Sequence, residues 1–285
     1  MQVSLGGDAR PHVTATKHGW SGLLGAGRGW CSNSEAMETD ERAKQVKRRF
    51  KRAVVEPKCE LDHDGAWQLL IATILSAQCT DARVNMVTPK LFARFSTPAA
   101  LALADVSEVE TLIKSTGTFR MKAKRIIEAS ATIVEDFGGE VPRRLEEITR
   151  LPGVARKTGN LVLGVAYGIA SGMVVDTHAG RVARRLGLTE AQDPVEVERD
   201  LTQLFHARSW IRMSHTLVLH GRYVCKSAKP RCSTCPLYEL CPSAEQLSGG
   251  QPPKGRWTAR ADAEWTTVQS RGNNELPASA ARDPS

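Results

Sequence analysis

The chain has 285 residues, 41% of them hydrophobic and 25% charged, and a formal net charge of +8. Its apolar runs fall short of the ~18 residues that a bilayer-spanning helix requires, which argues against membrane insertion, and its length allows a sizeable core in one large or two smaller domains, with two expected. The positive charge favours a polyanionic partner such as nucleic acid, although a solvated basic surface would give the same number.

Residues 1–40 hold Gly6-Gly7, Gly22, Gly25, Gly27 and Gly29 among polar residues, without apolar periodicity or a signal-peptide core, and read as a disordered extension. Met37 opens a charged amphipathic run from Glu38 to Lys51, so the upstream stretch reads as an appendage or a misplaced start. Trp67, Leu70, Ile71 and Ile74 follow the spacing of one helix face, and Leu69, Ala72 and Leu75 make the opposite face apolar as well, the pattern of a buried helix. Ser107 and Glu110 predict a capping box. Ile126, Ala129, Ile133, Val134 and Phe137 predict a helix stopped by Gly138-Gly139. Asp193, Pro194 and Glu196 supply cap, first-turn proline and box partner for a helix burying Val197, Leu201 and Leu204. Residues 246–285, with Gly249-Gly250, Pro252-Pro253 and scattered charges, read as a mobile tail. No segment alternates as a strand would, so the predicted fold class is all-α.

Pro142 opens a predicted helix through Leu145, Ile148 and Leu151, broken at Pro152-Gly153-Val154-Ala155 before a second helix over Arg156 to Tyr167. So tight a turn predicts an antiparallel helical hairpin, whose second helix offers unpaired N–H groups to an anion such as phosphate. A plain chain reversal between two core helices is the alternative. Arg156 and Lys157 oppose the helix dipole at that first turn, which favours a functional reason for their presence. Lys157 precedes the apolar run Leu161, Val162, Leu163, Val165 and Ala166; a dry wall and the neighbouring Arg156 would favour the neutral, nucleophilic amine. The alternative for Lys157 is a solvated surface charge.

Asp176 follows Val174-Val175 and precedes Ala179, Val182, Ala183 and Leu186 at helical spacing, which predicts an N-cap. Its carboxylate either only caps, or also stands where positive charge develops on a deoxyribose as its base departs. His178 reads as structural or DNA-contacting. Cys225, Cys232, Cys235 and Cys241 fall within one short segment, while Cys31, Cys59 and Cys79 are scattered, which points to a metal centre in a reducing compartment and not to a disulfide framework. Four thiolates suit either tetrahedral zinc or an iron–sulfur cubane. Lys226, Lys229 and Arg231 between the first two cysteines either meet a phosphate backbone or compensate an anionic cluster.

Together, Leu151-Pro152-Gly153-Val154-Ala155-Arg156-Lys157-Thr158, Val175-Asp176-Thr177-His178, His220-Gly221-Arg222-Tyr223-x-Cys225 with the cysteine spacing, and Leu75-Ser76-Ala77-Gln78-Cys79-Thr80-Asp81 resemble bacterial endonuclease III over roughly residues 40–245. The resemblance implies a helix-hairpin-helix glycosylase fold: a six-helix domain over residues 60–169, and a [4Fe–4S] domain from 41–59 and 170–245 with Cys225, Cys232, Cys235 and Cys241 as ligands. It implies a bifunctional DNA glycosylase and abasic-site lyase of base excision repair, acting on oxidised pyrimidines in double-stranded DNA, with Lys157 as Schiff-base nucleophile and Asp176 assisting base loss. Gln78 would fill the gap left in the base stack, and Gly153, Ala155 and Arg156 would meet the backbone. A monomer in the bacterial cytoplasm, associated with the nucleoid, is expected; a monofunctional adenine or thymine mismatch glycosylase is the alternative. Two positions depart from the family pattern. Ala155 replaces a second hairpin glycine, which weakens DNA binding if that site needs positive φ. In Gly117-Thr118-Phe119, Thr118 replaces a bulky aliphatic wedge, which bears on lesion extrusion, with Phe119 as a partial substitute.

Overall fold

The computed structural model describes residues 37–54 and 56–251, so the expectations for residues 1–36 and 252–285 lie outside the described residues. Among the described residues all regular structure is helical. The charged run beginning near Met37 forms α1 (Thr39–Ala53), which starts with Asp40 and Glu41, ends with Lys51 and Arg52 in accord with its dipole, and buries Ala43, Val46, Phe50 and Ala53. The two-faced apolar run forms α2 (Ala66–Leu75), buried continuously from Leu69 to Leu75. Thr80 caps α3 (Asp81–Arg94), and Thr97, followed by Pro98 in the first turn, caps α4 (Pro98–Ala102). Next come α5 (Val106–Ile113), a 3-10 turn (Lys114–Thr116) and α6 (Phe119–Phe137), which Gly138 ends in the left-handed conformation.

The hairpin comprises α7 (Leu145–Ile148) and α8 (Arg156–Tyr167), and Asp176 caps α9 (Thr177–Arg185). Asp193 and Pro194 begin α10 (Pro194–Leu204) as their residue types require, and α11 (Trp210–Tyr223) leads into the cysteine segment and α12 (Ala244–Ser248). The last helix therefore runs into the first residues of the stretch read as a tail.

Two local expectations are corrected. The cap of α5 is Asp105, whose Oδ1 accepts the N–H groups of Ser107 (2.8 Å) and Glu108 (3.2 Å), so Ser107 lies inside the helix and makes no box with Glu110. An ionised carboxylate satisfies both orphan N–H groups where a serine hydroxyl two residues on cannot reach them. The first hairpin helix is one turn and does not run from Pro142 to Leu151. The Thr149 hydroxyl donates to Leu145 O (2.8 Å), and the N–H groups of Arg150 and Leu151 bond three residues back, to Glu147 O and Ile148 O, which tightens the chain into the turn.

The apolar residues separate into two cores. Leu69, Leu70, Ile71, Leu91, Ile113, Ile126, Ile133 and Leu163 fill one, with α2 against α8 and α4 and α5 against α6. Phe50, Val46, Val182, Leu201, Leu217 and Leu240 fill the other, where α9 lies along α11 and the early helix α1 joins partners far down the chain. Among the described residues no helix is long and apolar enough to cross a membrane.

Candidate active site

The hairpin turn bends at Gly153, φ +81°, where a side chain would sit 3.1 Å from Arg125 Cδ. Ala155 is extended, with φ −87° and ψ 168°, so this backbone does not ask for the positive φ that a glycine would ease. Gly159 serves a different purpose: a Cβ there would lie 2.8 Å from Leu145 Cδ1 and 2.9 Å from Ile148 Cγ2, so its hydrogen lets α7 close onto α8. Ala155 offers no side chain to cap α8, and the N-terminus of that helix is exposed.

Lys157 and Asp176 line one cavity of about 90 Å³, room for several waters, at the seam of the two cores. One wall carries Cys59, Leu61, Thr73, Ser76 and Leu161, and the other Val174, Ser214, His215, Val218 and Leu219. Lys157 lies on an exposed part of α8. Asp176 Oδ1 accepts the N–H groups of both His178 (2.9 Å) and Ala179 (2.8 Å), while Oδ2 makes no hydrogen bond among the described residues. One oxygen thus completes the helix cap and the other remains available to chemistry. Burial lowers the pKa of His215 and favours its neutral ring at this wall.

Arg156 does not lie free beside Lys157. Its Nε and Nη2 donate to Glu198 Oε2 (2.9 Å) and Oε1 (3.0 Å), and Asn160 Nδ2 donates to the same Oε1 (2.9 Å). Glu198 therefore compensates the positive field assigned to Arg156, and the fork fastens α8 to α10. Nothing local in the sequence marks Glu198 as this partner, since it lies four residues after Pro194 beside the buried Val197 on an ordinary helix.

A second tie closes the rear of the cavity. Arg222 Nη1 donates to Asp81 Oδ2 (2.5 Å) and to Glu60, and the Tyr223 hydroxyl also donates to Glu60. Burial works against the Arg222 charge, but Asp81 and Glu60 outweigh it and raise its pKa. Burial and then Glu60 raise that of Tyr223, so its hydroxyl keeps its proton and donates. Arg222 and Tyr223 lie in a motif that the sequence marked without giving them a role.

Gln78 and Thr118 are both exposed, whereas Phe119 packs partly into the first core with Arg120 stacked 5.0 Å over its ring, which limits it as a substitute wedge. His178 lies against α11, where a Cβ at Gly221 would come within 2.8 Å of its own Cβ, and its Nδ1 is 3.3 Å from Arg181 Nη2.

Cys225, Cys232, Cys235 and Cys241 line a single cavity with Val182, Leu186, Val224 and Leu247. Burial raises the Cys235 thiol pKa and pushes that of Cys241 up to about 12, so charged sulfurs here need a cation among them. Arg185 braces the segment: Nη1 donates to Cys225 Sγ (3.3 Å) and Lys226 O (2.8 Å), Nη2 to Ser227 O (2.9 Å), and Cys241 Sγ donates to Arg185 O (3.2 Å). Among the described residues, no three His, Cys, Asp or Glu side chains gather as a site for one metal ion. Lys226, Lys229 and Arg231 form no ion pairs among the described residues; Lys229 is exposed, whereas Arg231 lines the cavity with the four cysteines.

Residues 71–207 match the HhH-GPD superfamily of base excision DNA repair proteins. The chain is 52% identical to the endonuclease III of a Synechocystis species over 72% of this chain and 94% of that protein, and 40% identical to that of Escherichia coli over 67% and 90%. A solved structure described as a trapped endonuclease III–DNA covalent intermediate superposes with a TM-score of 0.71 at 38% identity, covering 74% of this chain and all of that one. The family match spans the hairpin, Lys157 and Asp176, the alignment covers almost the full length of the Synechocystis relative, and the chain belongs to the endonuclease III family of base excision repair proteins.

Proposed function

We propose that this protein is a bifunctional DNA glycosylase and abasic-site lyase that removes oxidised pyrimidines from double-stranded DNA. The observation that carries the reading is the meeting of Lys157 and Asp176 in one cavity at the seam of two cores. The exposed start of α8, with its unpaired N–H groups, and the exposed Lys229 on the cysteine loop provide places for phosphates. The two cores fit a first domain over residues 60–169, which among the described residues carries seven helices (α2 to α8) and not the expected six, and a second domain from 41–59 and 170–245. The solved relatives that the fold resembles are described as endonuclease III–DNA complexes, which supports DNA as the partner. A monomer in the bacterial cytoplasm is the form in which we place this activity.

In this mechanism the damaged nucleotide turns out of the helix into the cavity and Gln78 fills the gap it leaves. The Lys157 amine attacks the sugar C1′, and the C1′–N bond breaks with its electron pair leaving on the base, which takes up a proton. Positive charge grows on the sugar during this step, and Asp176 Oδ2, not used by the cap, stabilises it. Loss of the amine proton and ring opening give an iminium at C1′. Removal of a C2′ proton then expels the 3′ phosphate, which cuts the strand 3′ to the lesion, and water hydrolyses the imine to free Lys157.

Cys225, Cys232, Cys235 and Cys241 would hold a [4Fe–4S] cluster. An all-sulfur donor set around one cavity fits this group, and the family to which the chain belongs favours it over zinc. Bound there, the cluster would fix the basic loop against α9 and supply the cation that buried thiolates need.

Borohydride reduction in the presence of abasic DNA tests the reading. The protein should become covalently linked, Lys157→Ala should abolish the link while leaving the iron content and visible absorbance unchanged, and base release without linkage would assign the protein to the monofunctional mismatch glycosylases instead.

A further inference from the structure

Gln78 and Thr118 have φ of +54° and +38°, and among the described residues they are the non-glycine positions with positive φ. For a β-branched threonine this conformation is strained, and strained backbone persists where surrounding contacts over-determine it. Gln78 is the third residue of a turn closed by Cys79 N–H and Ser76 O (3.0 Å), just after α2. Thr118, one residue beyond Gly117 at the end of the 3-10 turn, occupies the N-cap position of α6 without a side-chain capping bond. Gln78 and Thr118 lie forty positions apart in the chain, and both side chains are exposed.

Lys122 joins them. It is 3% exposed, and its Nζ donates to Leu75 O (2.8 Å), at the end of α2, and to Thr116 O (2.6 Å), at the end of the 3-10 turn. Its backbone N–H also donates to Thr118 O (3.1 Å). Both side-chain acceptors are orphan carbonyls at the negative ends of short helical segments, where a cation is favourable. Among the described residues the amine has no carboxylate within ion-pair distance. Burial accordingly lowers its pKa. An unbranched apolar side chain would fill the same volume without desolvating an amine, so packing alone does not account for a lysine here.

We propose that Lys122 is a positioning residue for base extrusion, which ties the Gln78 loop to the Thr118 loop so that both wedge side chains enter the base stack from a preset backbone. The proposal rests on the glycosylase reading above. A small residue at 118 gains little from its own bulk, and the tie compensates by removing the motion that such a wedge would otherwise have. Lys122 touches neither substrate nor the reacting atoms.

The test compares Lys122→Met and Lys122→Arg with the parent holoprotein on two duplexes, one bearing thymine glycol opposite adenine and one bearing an abasic site. Single-turnover base release should fall about ten- to a hundredfold in Lys122→Met, while the rate of borohydride trapping on the abasic duplex, which has no base to evert, stays within about threefold. Arginine, which reaches both carbonyls with its fork, should restore most of the base release. Equal slowing on both duplexes, or unchanged base release, overturns the proposal. Should Lys122→Met fail to fold, Lys122→Gln keeps one donor and is read by the same two rates. Parent protein that neither releases base nor traps would instead refute the glycosylase reading itself.

Discussion

Replacing Asp176 separates a helix cap from a catalytic carboxylate. Oδ1 alone makes both capping bonds, at 2.9 and 2.8 Å, so asparagine can keep the cap and change only the group at Oδ2. Asn and Asp are equivalent caps to within a few tenths of a kcal/mol, and the lost interaction of charge with the α9 dipole adds about 0.3–1 kcal/mol. Alanine removes the cap for about 1 kcal/mol more, or about 2–4 °C in melting temperature for a chain of this size. The chemical consequence runs the other way. Both variants remove the anion beside the developing sugar cation, a loss of about a hundred- to a thousandfold in single-turnover base release. Thermal melts of Asp176→Asn and Asp176→Ala alongside that rate therefore give two independent orderings. Equal and severe rate losses with unequal stability losses are expected. Base release within about threefold of the parent in Asp176→Asn would reduce Asp176 to a cap and refute the reasoning.

Three further outcomes follow from the packing. Gly221→Ala would place a methyl 2.9 Å from His178 O and 3.0 Å from its carbonyl carbon, backbone that cannot turn aside, so α9 and α11 must part at a cost of about 1–3 kcal/mol; urea denaturation with an unchanged midpoint would contradict this. Glu198→Gln weakens the bonds from Arg156 and Asn160 and should destabilise by about 1–2 kcal/mol, toward the low end because Arg156 is half exposed; a double-mutant cycle with Arg156→Met measures the coupling, and additivity would sink the claim. Burial pushes the His220 pKa down to about 3, while the unfolded chain protonates near 6.5, so the unfolded state binds more protons between those values. Stability should be full above pH 6.5 and fall as the pH drops toward 3, by up to about 1.4 kcal/mol per pH unit, and equal urea midpoints at pH 7.5 and 5.5 would count against it.

Much of the candidate site was legible without coordinates because its parts are local. A proline-glycine break between helical runs, an aspartate before an apolar helix and four clustered cysteines are each specified within a few residues, and the boundaries of α8 and the cap at Asp176 follow from such signals. The all-helical class was equally readable, since the period of the apolar pattern is local as well. Local signals failed where groups compete over short distances: Asp105 takes the cap from Ser107, and the Thr149 hydroxyl helps to shorten α7.

What only the tertiary structure decided is which charges meet. Lys157 and Asp176 share a cavity, Glu198 claims Arg156 across forty-two positions, Arg222 reaches back to Glu60 and Asp81, and Lys122 finds two carbonyls in different loops. A helix specifies the direction of its own side chains from its period, but the partner across a seam depends on how two cores dock, and no spacing along one chain segment encodes that.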